Sequence, residues 1–133
     1  MKPSKFNLEY IDAALNEVHY AVEGSANRGL DLRIERIFNQ SEIHDDHLDR
    51  FPESASRYTS SLDACRKLMK EVCPRGKWSL TTGDDGRHGA SVVDDGLKRP
   101  VNIIGSPMGI PSLEYAILYV LLTKAAIVKR DLK

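Results

Sequence analysis

Cysteine, tryptophan and net charge are all scarce in this chain. Its 133 residues hold two cysteines, one tryptophan, and 19 Lys and Arg balanced by 19 Asp and Glu. Cys65 and Cys73 fall in one stretch of helical periodicity. Two turns of helix hold their Cα atoms about 12 Å apart, beyond disulfide reach. They read as reduced thiols of a cytoplasmic protein, with Cys65 in the core and Cys73, next to Pro74, exposed. A net charge of zero removes any global case for nucleic acid or an anionic membrane surface. Residues 77–133 carry eight Lys/Arg against six Asp/Glu, a net of +2, too few to neutralise many phosphates. The apolar run Tyr115 to Leu122 is about eight residues, short of the ~20 that a membrane span needs. MKPSKFNLEY lacks the apolar core of a secretory signal.

The motifs of common catalytic classes are missing as well. There is no Gly-x-Ser-x-Gly elbow and no Gly-Lys-Ser/Thr phosphate loop. The two Asp-Asp-Gly turns lack the alternating acids and twelfth-position Glu of a calcium loop. Hairpin chemistry accounts for them, because Asp-Gly supplies the positive φ of tight turns.

What is present organises around Pro111 to Lys129. Between Tyr115 and Val128 only Thr123 and Lys124 are strongly polar. A helix apolar on nearly all sides is buried on nearly all sides. Ser112 reads as its N-cap, with Glu114 in the first turn and Lys129, Arg130 and Lys133 at its end. The chain has the size of a single domain, 1–133. Residues 1–6 read as a frayed leader. Asn7 then caps a helix with the narrow stripe Leu8, Ile11, Leu15, Val18 and Val22, which offers a seam to the domain or to a second copy. The loop 24–29 leads to Leu30, Leu32 and Ile34, which alternate with charges and offer a strand over 30–36. Ile37 and Phe38 break that alternation, leaving a helical turn as the alternative. Residues 39–57 read as a long irregular segment, with a helical turn at Ser41 to Leu48. A second helix follows, with Ser60 and Asp63 in a capping relation and Leu62, Cys65, Leu68, Met69 and Val72 as its buried stripe. Arg66, Lys67 and Lys70 face water, and Pro74 and Gly76 stop it. Three strands, Lys77 to Thr82, His88 to Val93 and Leu97 to Ile104, joined by the two turns, predict an antiparallel meander. The expected fold is α+β, with helices packed on a small sheet.

Several segments of this layout match a known pattern. They are RYTSSLDACRKLMKEV with its Tyr58-Thr59 pair, the Trp-bearing strand KWSL, the small-residue strand GASVV, and the closing SLEYAILYVLLTKAAI entered through Gly109-Ile110-Pro111-Ser112. Through them, residues 57–128 resemble the phage ABA sandwich domain of tailed bacteriophages. The resemblance implies an α/β/α sandwich and a small phage-encoded protein at work in a host bacterial cytoplasm. It implies no catalytic residues.

Two constellations carry chemistry. His44, Asp46 and His47, within Ile43 to Asp49, offer ligands to a divalent metal, but zinc needs three or four and the remainder must come from afar. An exposed polar helix or loop with scattered charges is the favoured reading, because a lone short cluster shows no supporting partners. Arg75, Trp78, Arg87, His88, Arg99 and Ser106 lie in or beside the strand region, near the N-terminus of the last helix, where free N–H groups and the dipole favour anions. If they converge, they clamp a phosphate and stack a base; otherwise they are edge charges that deter aggregation. The functional expectation is a non-enzymatic, homo-oligomeric binding protein without a cofactor. In its specific form it is a sponge that sequesters a nucleotide-derived immune second messenger. The alternatives are a protein–protein module that inhibits a host enzyme through the acidic 42–53 segment or the first helix, and a metal-dependent phosphodiesterase built on His44, Asp46 and His47.

Overall fold

A computed structural model describes residues 4–38, 50–97 and 101–131. Along these residues the order is α1 (Leu8–His19), α2 (Arg28–Phe38), a 3-10 turn (Pro52–Ser54), α3 (Leu62–Val72), β1 (Lys77–Thr82), β2 (His88–Val93), β3 (Ile103–Gly105) and α4 (Leu113–Arg130). The fold is α+β, with an antiparallel sheet in the order β1-β2-β3.

The C-terminal helix is the centre of the core. Ser112 accepts a hydrogen bond from the Tyr115 amide at 3.1 Å, and eleven residues of α4 are buried, from Tyr115 to Ile127. Its cover comes from α1, from the inner face of β2 and β3, and from α3 and α2. The sheet presents Ala90, Val92 and Ile104 to the core. On the outer face Val93 and Ile103 are 43% and 54% exposed. Among the described residues, the helices thus lie on one side of the sheet, and the second helical layer of an α/β/α sandwich is not formed.

The stripe of α1 is consumed inside the molecule. Asn7 caps the helix through the Tyr10 amide, and Ile11, Ala14 and Val18 are fully buried. Val22, read as the end of that stripe, lies beyond the helix and is 81% exposed. Ser4, within the expected leader, is buried, and its carbonyl accepts from Lys129 Nζ at 2.7 Å.

Residues 30–36 are helix, not strand. Leu30, Ile34, Ile37 and Phe38 are buried at helical spacing, and two carboxylates, Asp31 and Glu35, share that buried face. These acids made the segment alternate like a strand. They are buried because they hold the chain ahead of α3. Asp31 accepts from the Thr59 amide at 2.8 Å and from the Arg28 guanidinium at 2.9 Å. Glu35 accepts from the Tyr58 hydroxyl at 2.8 Å and the Ser56 amide at 3.2 Å. Asn27 caps α2 through the Leu30 amide, and its own amide N–H donates to Thr59 Oγ1. Buried carboxylates persist only when so satisfied.

Two boundaries also move. The cap of α3 is Ser61, which accepts from the Ala64 amide at 3.2 Å, and not Ser60. The third strand, expected over 97–104, is confined to Ile103–Gly105. The first hairpin uses the positive φ foreseen for Asp-Gly, at Gly86 with φ of 74°. The second turn does not. There Asp94 accepts from the Gly96 amide at 2.9 Å, closing the turn through its side chain.

That same Asp94 is an internal ion. Its other oxygen meets Lys124 Nζ, the only buried cation among the described residues, and both side chains are at most 4% exposed. Lys124 also donates to the Val72 carbonyl at 2.7 Å, satisfying an orphan carbonyl at the C-terminus of α3. One ion pair therefore ties α4 to the end of α3 and to the β2–β3 turn. Burial works against the Asp94 carboxylate, but Lys124 and the Gly96 amide outweigh it and hold its pKa below the usual carboxylate range.

A carboxyl whose pKa is lower folded than unfolded contributes stability above about pH 4, and loses it as pH falls through the folded value. Asp94→Ala should cost about 3–5 kcal/mol in urea unfolding at pH 7, because it strands a buried ammonium. The double change Asp94→Leu with Lys124→Met should recover most of that loss. A single-variant cost under about 1 kcal/mol, the worth of a surface pair, contradicts the assignment. Asp31→Ala should cost about 3 kcal/mol and speed exchange of the Thr59 amide, since that donor loses its acceptor in a buried place.

Candidate functional site

Five of the six residues expected to bind a ligand are described, and these five do not form one site. In the hairpin register Trp78 faces Val92, while His88 faces Thr82 at the opposite end. Val92 and His88 are four positions apart along β2, about 13 Å. Arg75 is exposed in the turn ahead of β1, at the Trp78 end. Arg87 lies in the first hairpin turn, reaching the Gly109 carbonyl at 3.5 Å. His88 Nδ1 meets Thr82 Oγ1 at 2.9 Å. Ser106 Oγ accepts from the Ala90 amide at 2.8 Å, and Ser106 returns its own amide to the Ala90 carbonyl. Arg99 lies outside the described residues, as do His44, Asp46 and His47 with the 41–48 turn.

The approach to α4 is likewise committed to structure. Ile110 exchanges both backbone hydrogen bonds with His88, at 2.8 and 3.2 Å. Ser112 Oγ is taken by the Tyr115 amide. Of the N–H groups in this approach, those of Ser106 and Ile110 are partners of β2 and that of Tyr115 is a partner of the helix cap. Among the described residues, no three His, Cys, Asp or Glu side chains gather as a metal site.

Trp78 does have a setting of its own. It lines a cleft of about 270 Å³ with Arg66, Met69, Lys70, Cys73, Pro74 and Gly76. Three elements build it. The C-terminal half of α3 supplies Arg66, Met69, Lys70 and Cys73, at spacings of three and four that put them on one helix face. Pro74 and Gly76 turn the chain, and β1 brings Trp78 back alongside. Gly76 permits this close return: a Cβ there would lie 2.7 Å from Val92 Cγ2 and 2.9 Å from Cys73 Cβ. Arg66 and Lys70 are exposed, so the rim is cationic and the wall is thioether, indole and proline.

Trp78 Nε1 is buried and, among the described residues, has no hydrogen-bond acceptor. A buried indole N–H normally finds one. Cys73, expected at the surface, is 3% exposed and lies beside the Asp94–Lys124 pair. Burial pushes its thiol up to about 11, Lys124 pulling it down and Asp94 pushing it up by smaller amounts. Cys65 is pushed up to about 12 by burial, with Glu114 and Asp31 adding to it, and its Sγ donates to the Tyr58 carbonyl at 3.0 Å. Both thiols are therefore protonated at neutral pH, and neither has the thiolate that nucleophilic chemistry requires. The cleft can grip a flat ring and a negative charge.

Sequence reasoning singled out Trp78 but did not bring Arg66, Met69, Lys70 and Cys73 beside it. The cations were assigned to the solvated side of α3 and Met69 to its buried stripe. Spacing 66, 69/70, 73 toward a tryptophan five residues further on was the available signal.

The thiol assignments predict that Ellman's reagent at pH 8 labels neither cysteine rapidly in the native protein, and labels two per chain in denaturant. Rapid native labelling of Cys73 contradicts its burial. No protein-family model, curated protein or solved structure matches the chain.

Proposed function

We propose that this protein is a small binding protein whose ligand is an anion carrying a flat ring, of nucleotide type, held in the cleft beside Trp78. The observation that carries this reading is the cleft itself, in which the side chain of Trp78 lies with Met69 beneath a rim that holds Arg66 and Lys70. Arg66 offers a planar fork to a phosphate and Lys70 a point charge. Indole and Met69 pack against the ring faces.

Its finer form is a phage-encoded sponge that sequesters a nucleotide-derived immune second messenger in a host bacterial cytoplasm, without cleaving it. The phage origin rests on the resemblance of residues 57–128. One feature favours holding over turnover: the raised pKa of Cys73 in the cleft wall, which leaves it without a thiolate.

The test is capture and release. The protein is mixed with cyclic di- and trinucleotides and ADP-ribose derivatives, separated from free ligand, and heated. The expected result is release of one intact compound. Trp78 is the sole tryptophan, so its fluorescence should change on binding. Arg66→Ala and Lys70→Ala should each weaken binding roughly tenfold, equivalent to about 1.4 kcal/mol. Arg87→Ala should leave it unchanged. A chemically altered product contradicts the sponge, and no capture by any member of the panel removes the nucleotide reading.

A further inference from the structure

Among the described residues, β1 is an edge strand with little of the usual protection. Native edges are blunted by charged side chains, proline, bulges or short length, and β1 carries one charge, Lys77, at its first position. β1 is six residues long and pairs one-to-one with β2 throughout. KWSLTT contains no proline or glycine, and five of its six residues are exposed. Leu80, at its middle, is 41% exposed although it lies on the sheet's inner face.

The ladder shows which backbone groups of this edge point outward. Antiparallel pairs alternate between hydrogen-bonded and non-bonded. The Gly83 amide donates to the Arg87 carbonyl at 2.8 Å, so the bonded pairs continue at Thr81, Ser79 and Lys77. The opposite strand agrees, since the backbones of His88 and Ala90 bond to Ile110 and Ser106, away from β1. Trp78, Leu80 and Thr82 therefore direct their N–H and C=O groups away from the sheet. Among the described residues, no hydrogen bond reaches them.

We propose that a second copy of this chain covers this edge, β1 pairing antiparallel with β1 about a two-fold axis. Two three-stranded sheets then join into one of six strands. Only residues with outward groups on both strands can exchange hydrogen bonds. One register uses all three. It sets Leu80 against Leu80 of the second copy, on the axis, and Trp78 against Thr82 of the second copy, twice. The exposed Leu80 side chains then cover each other. Followed past the strand ends, the same register sets Arg75 opposite Asp85 of the second copy and Gly76 opposite Asp84. Arg75, Lys77, Asp84 and Asp85 are all exposed. The edge is thus cationic at one end and anionic at the other, and antiparallel pairing brings unlike ends together. That self-complementarity selects a second copy over an unrelated partner.

The test combines sedimentation equilibrium with amide exchange on the full chain. A dimer is expected, with the amides of Trp78, Leu80 and Thr82 protected at high concentration and released on dilution. The amides of Ser79 and Thr81 stay protected throughout. Arg75→Glu should weaken dimerisation at least tenfold without lowering Tm by more than a few degrees, and Arg75→Glu with Asp85→Arg should restore it. A monomer at several hundred micromolar overturns the proposal. So does a dimer in which the three outward amides exchange at the same rate at every concentration.

Discussion

The constraint on which this structure depends is the burial of α4 on every side. Such a helix cannot lie on a surface, so each other element covers part of it: α1 on one flank, the meander on another, α3 and α2 on the rest. Its one buried charge then becomes decisive. Lys124 needs a counter-ion in a place without water, and Asp94 supplies it from a turn between two strands. The same ammonium closes the end of α3 through the Val72 carbonyl. Docking of the sheet, the end of α3 and the register of α4 are therefore one event. The pair adds little net stability over apolar packing, but removing either half is costly. Its contribution is to fix which surfaces meet.

The cleft follows from that joint. α3 must stop at Cys73 for its carbonyls to meet Lys124, and Pro74 to Gly76 must turn tightly for β1 to run back beside β2. The gap left between the helix end and the returning strand is bordered by Met69, Cys73 and Trp78, with Arg66 and Lys70 above. Asp94 and Lys124 lie beside Cys73, so the cleft floor and the buried ion pair share a wall.

The sequence made much of this fold legible, for a physical reason. The first two strands were read to the residue because period-two patterning and Asp-Gly turns agree with each other there. The last helix was read because no other structure hides eleven buried residues in a row of eighteen. The misreading of 30–36 has an equally definite cause. Asp31 and Glu35 are core residues, and a helix with buried acids spells an alternating pattern. Only their distant partners, Thr59, Tyr58 and Ser56, make them helical, and sequence does not display partners. Asp94 was read as turn chemistry alone because its ionic role depends on a lysine thirty positions away. The candidate site suffered likewise. Arg75, Trp78, Arg87, His88 and Ser106 are close along the chain, but a hairpin sends neighbours to opposite ends, while α3 returns Arg66 and Lys70 to Trp78.

The proposed ligand site is the cleft lined by Trp78, Met69, Arg66 and Lys70. The most direct measurement is the indole N–H resonance of this sole tryptophan in a two-dimensional ¹⁵N spectrum, followed as nucleotide-type anions are added. The expected result is a single indole peak that shifts as a ring packs against the indole, together with the backbone amides of Met69, Lys70 and Gly76. An indole peak that stays fixed while amides near Arg87 and His88 move instead would place the site at the other end of the sheet and contradict the account.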